Sequence, residues 1–259
     1  MDISFIGSGN LAWHLAPAFD NAGHIVREVY SPNPKHAATL TERLYQAGVM
    51  TSLDFSSSKS KVFIIAATDD SLEGIARDIV LPDQACLIHT SGSQPLSILQ
   101  FAASQSSGVF YPLQTFSKNK RTDFKPIPIF IESNSEEGEQ LLITLAKAIS
   151  NSVRKISSEE RGALHVAAVF ASNFTNHMLA VAKGIMEENK LSFELLKPLI
   201  LETMTKGVAL GPEQSQTGPA MRSDLEILDR HLQFLEKDER VAELYKIISQ
   251  HILDKYGSE

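Results

Sequence analysis

The sequence predicts an α/β protein: a doubly wound sheet with extra strands, followed by an all-helical C-terminal domain. Three observations predict it. A short apolar strand, Ile3-Ser4-Phe5-Ile6, runs directly into Gly7-Ser8-Gly9-Asn10-Leu11-Ala12, a G-x-G-x-x-[GA] turn in its alanine form, with helical sequence after it. Apolar strand-like runs then alternate with helical ones as far as Ile156. From Ser157 onward no strand signal of comparable strength follows, and helical periodicity takes over. The expected boundaries are 1–156 for a Rossmann-type domain and 157–259 for the helical one.

The first turn carries the strongest chemical signal. Gly7 permits the sharp strand-to-helix turn, Gly9 has no Cβ to keep a pyrophosphate from the backbone, and Ala12 lets the helix pack closely on the strand. The helix start offers free N–H groups and a partial positive charge of roughly +0.5. Gly7, Ser8, Gly9, Asn10 and Leu11 are therefore cofactor-binding candidates. The competing reading is a tight βα turn that binds nothing.

Taken in order, Asn10 to Ala22 reads as a helix with a kink at Pro17 and a stop at Gly23. Ile25 to Tyr30 is the second strand. Asn33 caps a further helix opened by Pro34 and running to about Ala47, with Gly48 as its end. The end of the second strand discriminates between NAD and NADP, because NAD sites place a carboxylate there. Tyr30-Ser31-Pro32-Asn33-Pro34-Lys35-His36 has none and offers donors to a 2′-phosphate instead, which makes Ser31, Asn33 and Lys35 candidates and favours NADP. Glu28 is the rival, placed inside the strand rather than at its tip. Lys35 and His36 also read as a solvated helix start.

Lys61 to Ala67 is apolar almost throughout, as suits a parallel strand covered on both faces. Ala67-Thr68-Asp69 leaves its end. Ala85 to His89 ends in Thr90-Ser91-Gly92, and Val109 to Tyr111 ends in Pro112 to Phe116. These polar ends should share the C-terminal edge of the sheet, where doubly wound folds bind ligands, so Ala67, Thr68, Asp69, Thr90, Ser91 and Gly92 join the cofactor candidates. Ile127 to Ile131, a helix over Ser135 to Ile149, and Val153 to Ile156 complete the domain.

In the C-terminal part, Ser157-x-x-Glu160 fits a capping box, and a long helix follows to about Asn189. Ala163 to Ala171 is apolar nearly all round, so this stretch should be buried. Further helices fit Ser192 to Ala209 and Arg222 to Tyr256. At about 100° per residue, His165, Ser172 and Asn176 lie on one line of the long helix, with Asn173 to one side. Such groups either bond to one another or line a cavity. His165 and Asn173 are candidate catalytic residues, and Arg222, in Thr217-Gly218-Pro219-Ala220-Met221-Arg222-Ser223-Asp224, is a candidate carboxylate or phosphate clamp. Arg222 also reads as a surface residue at a helix start. His89 can polarise a substrate or serve as a bonded strand-end histidine, and Tyr111 is ambiguous in the same way.

The whole chain bounds these readings. Its 43% hydrophobic and 21% charged content is that of a soluble globular protein, and a net charge of −7 argues against a general nucleic-acid surface. The single cysteine, Cys86, excludes an intrachain disulfide. The histidines show no H-x-x-x-H spacing, so no metal is expected. A strand beginning at residue 3 leaves no room for a signal peptide, and no apolar run spans a bilayer; a cytoplasmic protein without membrane or nucleic-acid partners is the expectation. His89-Thr90-Ser91-Gly92-Ser93 lacks a G-x-S-x-G elbow, so a hydrolase triad is unsupported.

With Ile6 to Ala12, His89 to Gly92, Tyr111 to Phe116, Ala167 to Asn173 and Thr217 to Asp224, the chain resembles, over essentially its whole length, a two-domain family. In that family a Rossmann-like NADP oxidoreductase domain precedes a helical domain of unknown function. The family is similar in layout to pyrroline-carboxylate reductase, to β-hydroxyacid dehydrogenases and to deazaflavin-dependent NADP reductases. The resemblance implies NADP binding and homodimers built through the helical domain; the apolar circumference of the long helix points to a dimer as well. It also implies a catalytic Lys four residues before the Asn matched by Asn173, but Val169 stands there. Reduction of an imine depends less on that base than does an alcohol–ketone couple. The expected function is hydride transfer between nicotinamide and a small substrate, a keto or hydroxy acid or a cyclic imine. The alternatives are a non-enzymatic NADP-binding sensor or scaffold and a deazaflavin-dependent NADP reductase.

Overall fold

The computed structural model describes residues 1–257 of the 259-residue chain. Two compact units divide it, Met1–Asn173 and the chain from Phe174 onward. The contacts divide the chain inside the long helix rather than before it at Ile156/Ser157, because the first turns of that helix are fastened to the sheet.

In the first unit eight strands form one sheet in the order β3-β2-β1-β4-β5-β6-β7-β8. They are β1 (Asp2–Ile6), β2 (Ile25–Tyr30), β3 (Gly48–Met50), β4 (Val62–Ile65), β5 (Cys86–His89), β6 (Ser106–Pro112), β7 (Pro128–Ser133) and β8 (Ser152–Lys155). All neighbours are parallel except β6 and β7. The chain winds outward through β2 and β3, then restarts beside β1 with β4, so the ends of β1, β4, β5 and β6 form one edge at the point where the order reverses.

Burial follows the apolar pattern. Val62 to Ile65 and Leu87, Ile88 and Val109 are fully buried, as strands covered on both faces require. Helices α1 (Asn10–Asn21) and α4 (Glu136–Ile149) pack against one face, through Leu15, Phe19, Leu142 and Leu145. Helix α1 continues through Pro17. Helix α2 (Pro34–Thr41), capped by Asn33, stops well before Ala47. Gly48 does not end a helix but starts β3, because Gly48 to Met50 pair with Glu28 to Tyr30. Three residues at a sheet edge are too short to show a period in sequence. On the other face, α3 (Leu72–Asp78) and a 3₁₀ segment, Leu96–Phe101, cover Phe55, Phe63 and Leu87.

The long helical run begins with α5 (Ser158–Ala168), whose capping box is formed by Ser157 and Glu160 in both directions. A π-helical turn, Val169–Phe174, joins it to α6 (Thr175–Glu188). The expected burial of Ala163 to Ala171 is not seen: Ala163, Val166, Ala167 and Ala171 are exposed in the single chain.

The second unit continues with α7 (Lys197–Leu210), α8 (Pro212–Ser215), α9 (Leu225–Leu235) and α10 (Glu239–Tyr256). A single helix from Arg222 to Tyr256 is not formed. Asp238 breaks it by accepting bonds from the amides of Arg240 and Val241, which makes it the cap of α10. Among the described residues no helix is long and apolar enough to cross a membrane.

Candidate functional site

The edge of the sheet at which β1, β4, β5 and β6 end holds nearly all the sequence candidates of the first unit. At β1, the Gly7 amide donates to the Tyr30 carbonyl at 2.8 Å. Gly7 has φ +113, and a Cβ on it would lie 2.3 Å from the Ala66 carbonyl oxygen, so only glycine fits. Ser8 is buried, whereas Gly9 and Asn10 are exposed.

Whether this turn suits a dinucleotide can be judged from its caps. Asn33, Ser135, Ser157, Asp224 and Asp238 each cap their helix with a side chain. Helix α1 instead starts on Gly9, with no side-chain cap and no acidic residue in its first turn, whereas the short α8, which also starts on a glycine, carries Glu213 there. The first amides of any helix lack intrahelical partners. Here they face a position where a Cβ on Gly9 would meet only the Ala66 oxygen at 3.9 Å. An anion with oxygens to offer fits that concavity.

The end of β2 carries Ser31, which is buried, Asn33, whose side chain accepts from the Lys35 amide at 3.0 Å, and exposed Lys35 and His36. Glu28 lies inside β2, where its carboxylate accepts from the Ser4 hydroxyl at 2.5 Å and the Ser58 hydroxyl at 2.6 Å. It is therefore held by the serines of neighbouring segments and stands away from the strand tip.

The loops after β4 and β5 are linked to one another. Thr90 donates to the Ile65 carbonyl at 3.1 Å, and Ser93 donates to the Asp69 carboxylate. After β4, Thr68 precedes a short 3₁₀ turn, Asp69–Ser71, with Ala67 partly buried before them. His89 is fully buried. Its Nδ1 accepts from the Ser91 amide at 3.1 Å, and its Nε2 has no hydrogen-bond partner. Burial, with the Arg161 guanidinium second, lowers its pKa to about 3, against smaller opposing effects of the Pro95 carbonyl and Asp69. His89 is thus a neutral strut for the Ser91 turn.

Gly92 sits beneath a pair of rings. The Tyr111 hydroxyl lies 2.9 Å from His165 Nδ1, and a Cβ on Gly92 would lie 2.4 Å from that nitrogen and 2.8 Å from Tyr111 Cζ. Beside the pair a cavity of about 410 Å³ is lined by Leu113, Leu164, Ala168, Val169, Ser172 and Asn173, among others. Ser172 and Asn173 thus share a cavity with His165. Burial raises the Tyr111 pKa, and Arg161 opposes that rise.

Arg161 is the residue that sequence reasoning missed. Its side chain has no exposed surface. It pairs with Glu132 at 2.6 Å and donates to the carbonyls of Gln94 at 2.5 Å and Ser91 at 3.3 Å. Glu132 also accepts from the Ser158 hydroxyl at 2.8 Å. These bonds fasten α5 to β7 and to the loop after β5. The available signal was a carboxylate in the otherwise apolar strand Pro128–Ser133 and an arginine entering an apolar helix, two charges that each need a partner if buried. Arg222, in the second unit, is exposed. Among the described residues no cluster of His, Cys, Asp or Glu could hold a metal ion.

The comparisons bear on this geometry. Residues 2–91 match the family described as "NADP oxidoreductase coenzyme F420-dependent", and residues 127–252 match a "Domain of unknown function (DUF2520)". A protein of Bacteroides fragilis described as a putative NADP oxidoreductase is similar at 38% identity, covering 98% of each chain, with a TM-score of 0.88. The fold is shared with a reductive aminase from Aspergillus terreus in complex with NADPH and ethyl levulinate, at 15% identity and a TM-score of 0.71, covering 99% of this chain and 95% of that one. It is shared as well with a Plasmodium falciparum pyrroline carboxylate reductase with NADP bound, at 15% identity and a TM-score of 0.59, covering 99% and 97%. No curated protein matches the chain. NADP is the cofactor of the family. The likeness over nearly the whole length, with the two matches in succession, gives the assignment: the chain belongs to the NADP oxidoreductase family in which a Rossmann-like domain is followed by a helical domain of unknown function.

Proposed function

We propose that this protein reduces a small carbonyl or imine compound with NADPH. The observation that carries the reading is the continuity of one sheet edge. The uncapped Gly7–Ala12 turn rests on Ala66, the loop after β4 is bonded to the loop after β5, and Gly92 of that loop supports the Tyr111–His165 pair at the mouth of a cavity. A dinucleotide held at the turn by the amides of Gly9 to Leu11, with Ala67 to Asp69 and Thr90 to Gly92 along the same edge, supplies hydride chemistry there. Ser31, Asn33 and Lys35 offer donors to a 2′-phosphate. Asn173 lines the cavity and can orient a substrate, and Arg222 remains the proposed clamp for a substrate anion. Val169, where related dehydrogenases carry Lys, favours an imine over an alcohol–ketone couple.

The same proposal includes a cytoplasmic homodimer joined through helical surfaces, with no nucleic-acid or membrane partner. Its support is the apolar surface of α7, where Leu199 and Leu201 are about two-thirds exposed and Val208 is 90% exposed. Surfaces of this kind are covered in most soluble proteins.

The test is a titration with NADPH followed by a turnover screen against keto acids, cyclic imines and a deazaflavin. Gly9→Asp places bulk and negative charge at the anion position and should abolish NADPH binding with the circular dichroism spectrum unchanged. Unaltered affinity in the folded variant would sink the dinucleotide reading. Tight NADPH binding without turnover of any substrate would favour the sensor reading.

A further inference from the structure

We infer that Tyr111 and His165 together form the acid that protonates the substrate, with the Tyr111 hydroxyl as the group that reaches it and His165 Nδ1–H as the donor that replenishes the phenol. The inference rests on the hydride-transfer reading above and assigns the proton that such a reduction requires.

The two residues come from distant parts of the chain, β6 and α5, and meet at 2.9 Å with their rings edge to face at 5.9 Å and 71°. Gly92 is the local condition for that meeting, since any side chain there would collide with both rings. A hydrogen bond that served packing alone would need no cavity. This one borders a cavity of about 410 Å³ whose other walls combine apolar Leu113, Leu164, Ala168 and Val169 with polar Gln114, Thr115, Ser172 and Asn173. The chemistry such a wall recognises is a small, partly apolar body carrying one C=N or C=O group at the Tyr111 end.

The electrostatic setting suits a phenol that donates. Burial keeps Tyr111 protonated in the resting protein, while the Arg161 guanidinium favours the phenolate that forms during transfer. The charged and titratable groups facing the pair are accounted for. Arg161 on α5 is held by Glu132 on β7, and His89 on β5 is neutral above about pH 3. Phe130, from β7, lies beside Tyr111 with its ring tilted by 36° at 6.5 Å and carries no charge.

As hydride from the reduced nicotinamide adds to the substrate carbon, the C=N or C=O π pair moves onto the heteroatom. The Tyr111 O–H bond breaks and a new N–H or O–H bond forms. The phenolate takes the proton from His165 Nδ1 as solvent delivers one to Nε2, so the ring passes to its Nε2–H tautomer without becoming an imidazolate, and exchange with solvent restores the Nδ1–H form. The substrate is reduced by two electrons, and the nicotinamide is oxidised by two.

Two measurements test the assignment. The first uses the protein labelled with ¹⁵N-histidine and without cofactor. Nδ1 of His165 should be protonated in the wild type, and Tyr111→Phe should shift the ring toward the Nε2–H tautomer. An unprotonated Nδ1 in the wild type overturns the relay. The second uses NADPH and 2-methyl-1-pyrroline, a neutral cyclic imine. Tyr111→Phe should lower kcat by roughly 10²–10⁴-fold with NADPH affinity unchanged. A kcat within about threefold of wild type, or no reduction by wild type with NADPH bound, overturns it. Absence of NADPH binding to the wild type would instead remove the hydride reading, and the tautomer measurement separates that failure from a failure of the pair.

Discussion

The two units of this chain handle apolar surface in opposite ways. In the first, strands β1, β4, β5 and β6 are buried almost without interruption, and even a charged side chain, Arg161, is enclosed with its partners. In the second, the only buried hydrophobic residues among those described are Ala220 and Leu228, while Leu195, Leu199, Leu201, Val208 and Phe234 are more than half exposed. A parallel sheet between two helical layers closes its own core. A set of helices carrying apolar residues around much of their circumference leaves part of that surface open. The difference separates a unit that closes its own core and builds the sheet edge from one that leaves apolar side chains exposed, and the proposed dimer is the way to cover them.

The largest expected effect tests the self-sufficiency of the first unit. Arg161→Ala leaves Glu132 with only the Ser158 hydroxyl and frees the carbonyls of Ser91 and Gln94. Removal of one partner from a buried pair costs about 3–5 kcal/mol, read as the change in urea midpoint. A loss below about 1 kcal/mol would mean the clasp is not what joins α5 to the sheet. Next comes the dependence of the second unit. Val208→Asp should weaken self-association by about a hundredfold, since it removes apolar burial and buries a charge. Sedimentation at micromolar concentration should show the wild type at twice the 28.5 kDa chain mass and the variant shifted to monomer. A monomeric wild type contradicts the dimer and with it this half of the comparison.

A smaller effect concerns pH. His89 has a native pKa of about 3 against an ordinary 6.5. Between those values the unfolded chain binds more protons, so stability rises with pH across the window and is lost as pH falls from 6.5 toward 3. From pH 8 to pH 5 the loss from this group is about 2 kcal/mol. It should be absent in His89→Asn; an equal slope in wild type and variant would assign the acid sensitivity elsewhere. The smallest effect lies on the exposed rim. Lys35→Ala should reduce the preference for NADPH over NADH by about tenfold, the worth of one charge-assisted bond. Equal ratios of dissociation constants in variant and wild type would remove Lys35 from the 2′-phosphate site.

How far the sequence could be read varies from place to place for physical reasons. The Gly7–Ala12 turn was visible because its chemistry is local: strand, glycines and helix follow within a dozen residues. The capping boundary at Ser157 was visible for the same reason. Helix α10 was not separated from α9, because Asp238 looks like any polar residue on a helix surface until its side chain is seen to accept the amides of Arg240 and Val241. Strand β3 was missed because its pairing with β2, and no pattern of its own, makes it a strand.

The sequence by itself determined the alternation of elements, the change of character at Ser157, the dinucleotide turn and the absence of a carboxylate at the tip of β2. Those features depend on periodicity and on neighbours along the chain. Tertiary structure alone decided that Tyr111 and His165 meet over Gly92 and that Arg161 is buried against Glu132. Each of these depends on strands and helices distant in sequence being brought within hydrogen-bond distance, and a single chain of letters carries no record of which buried polar group will find which partner.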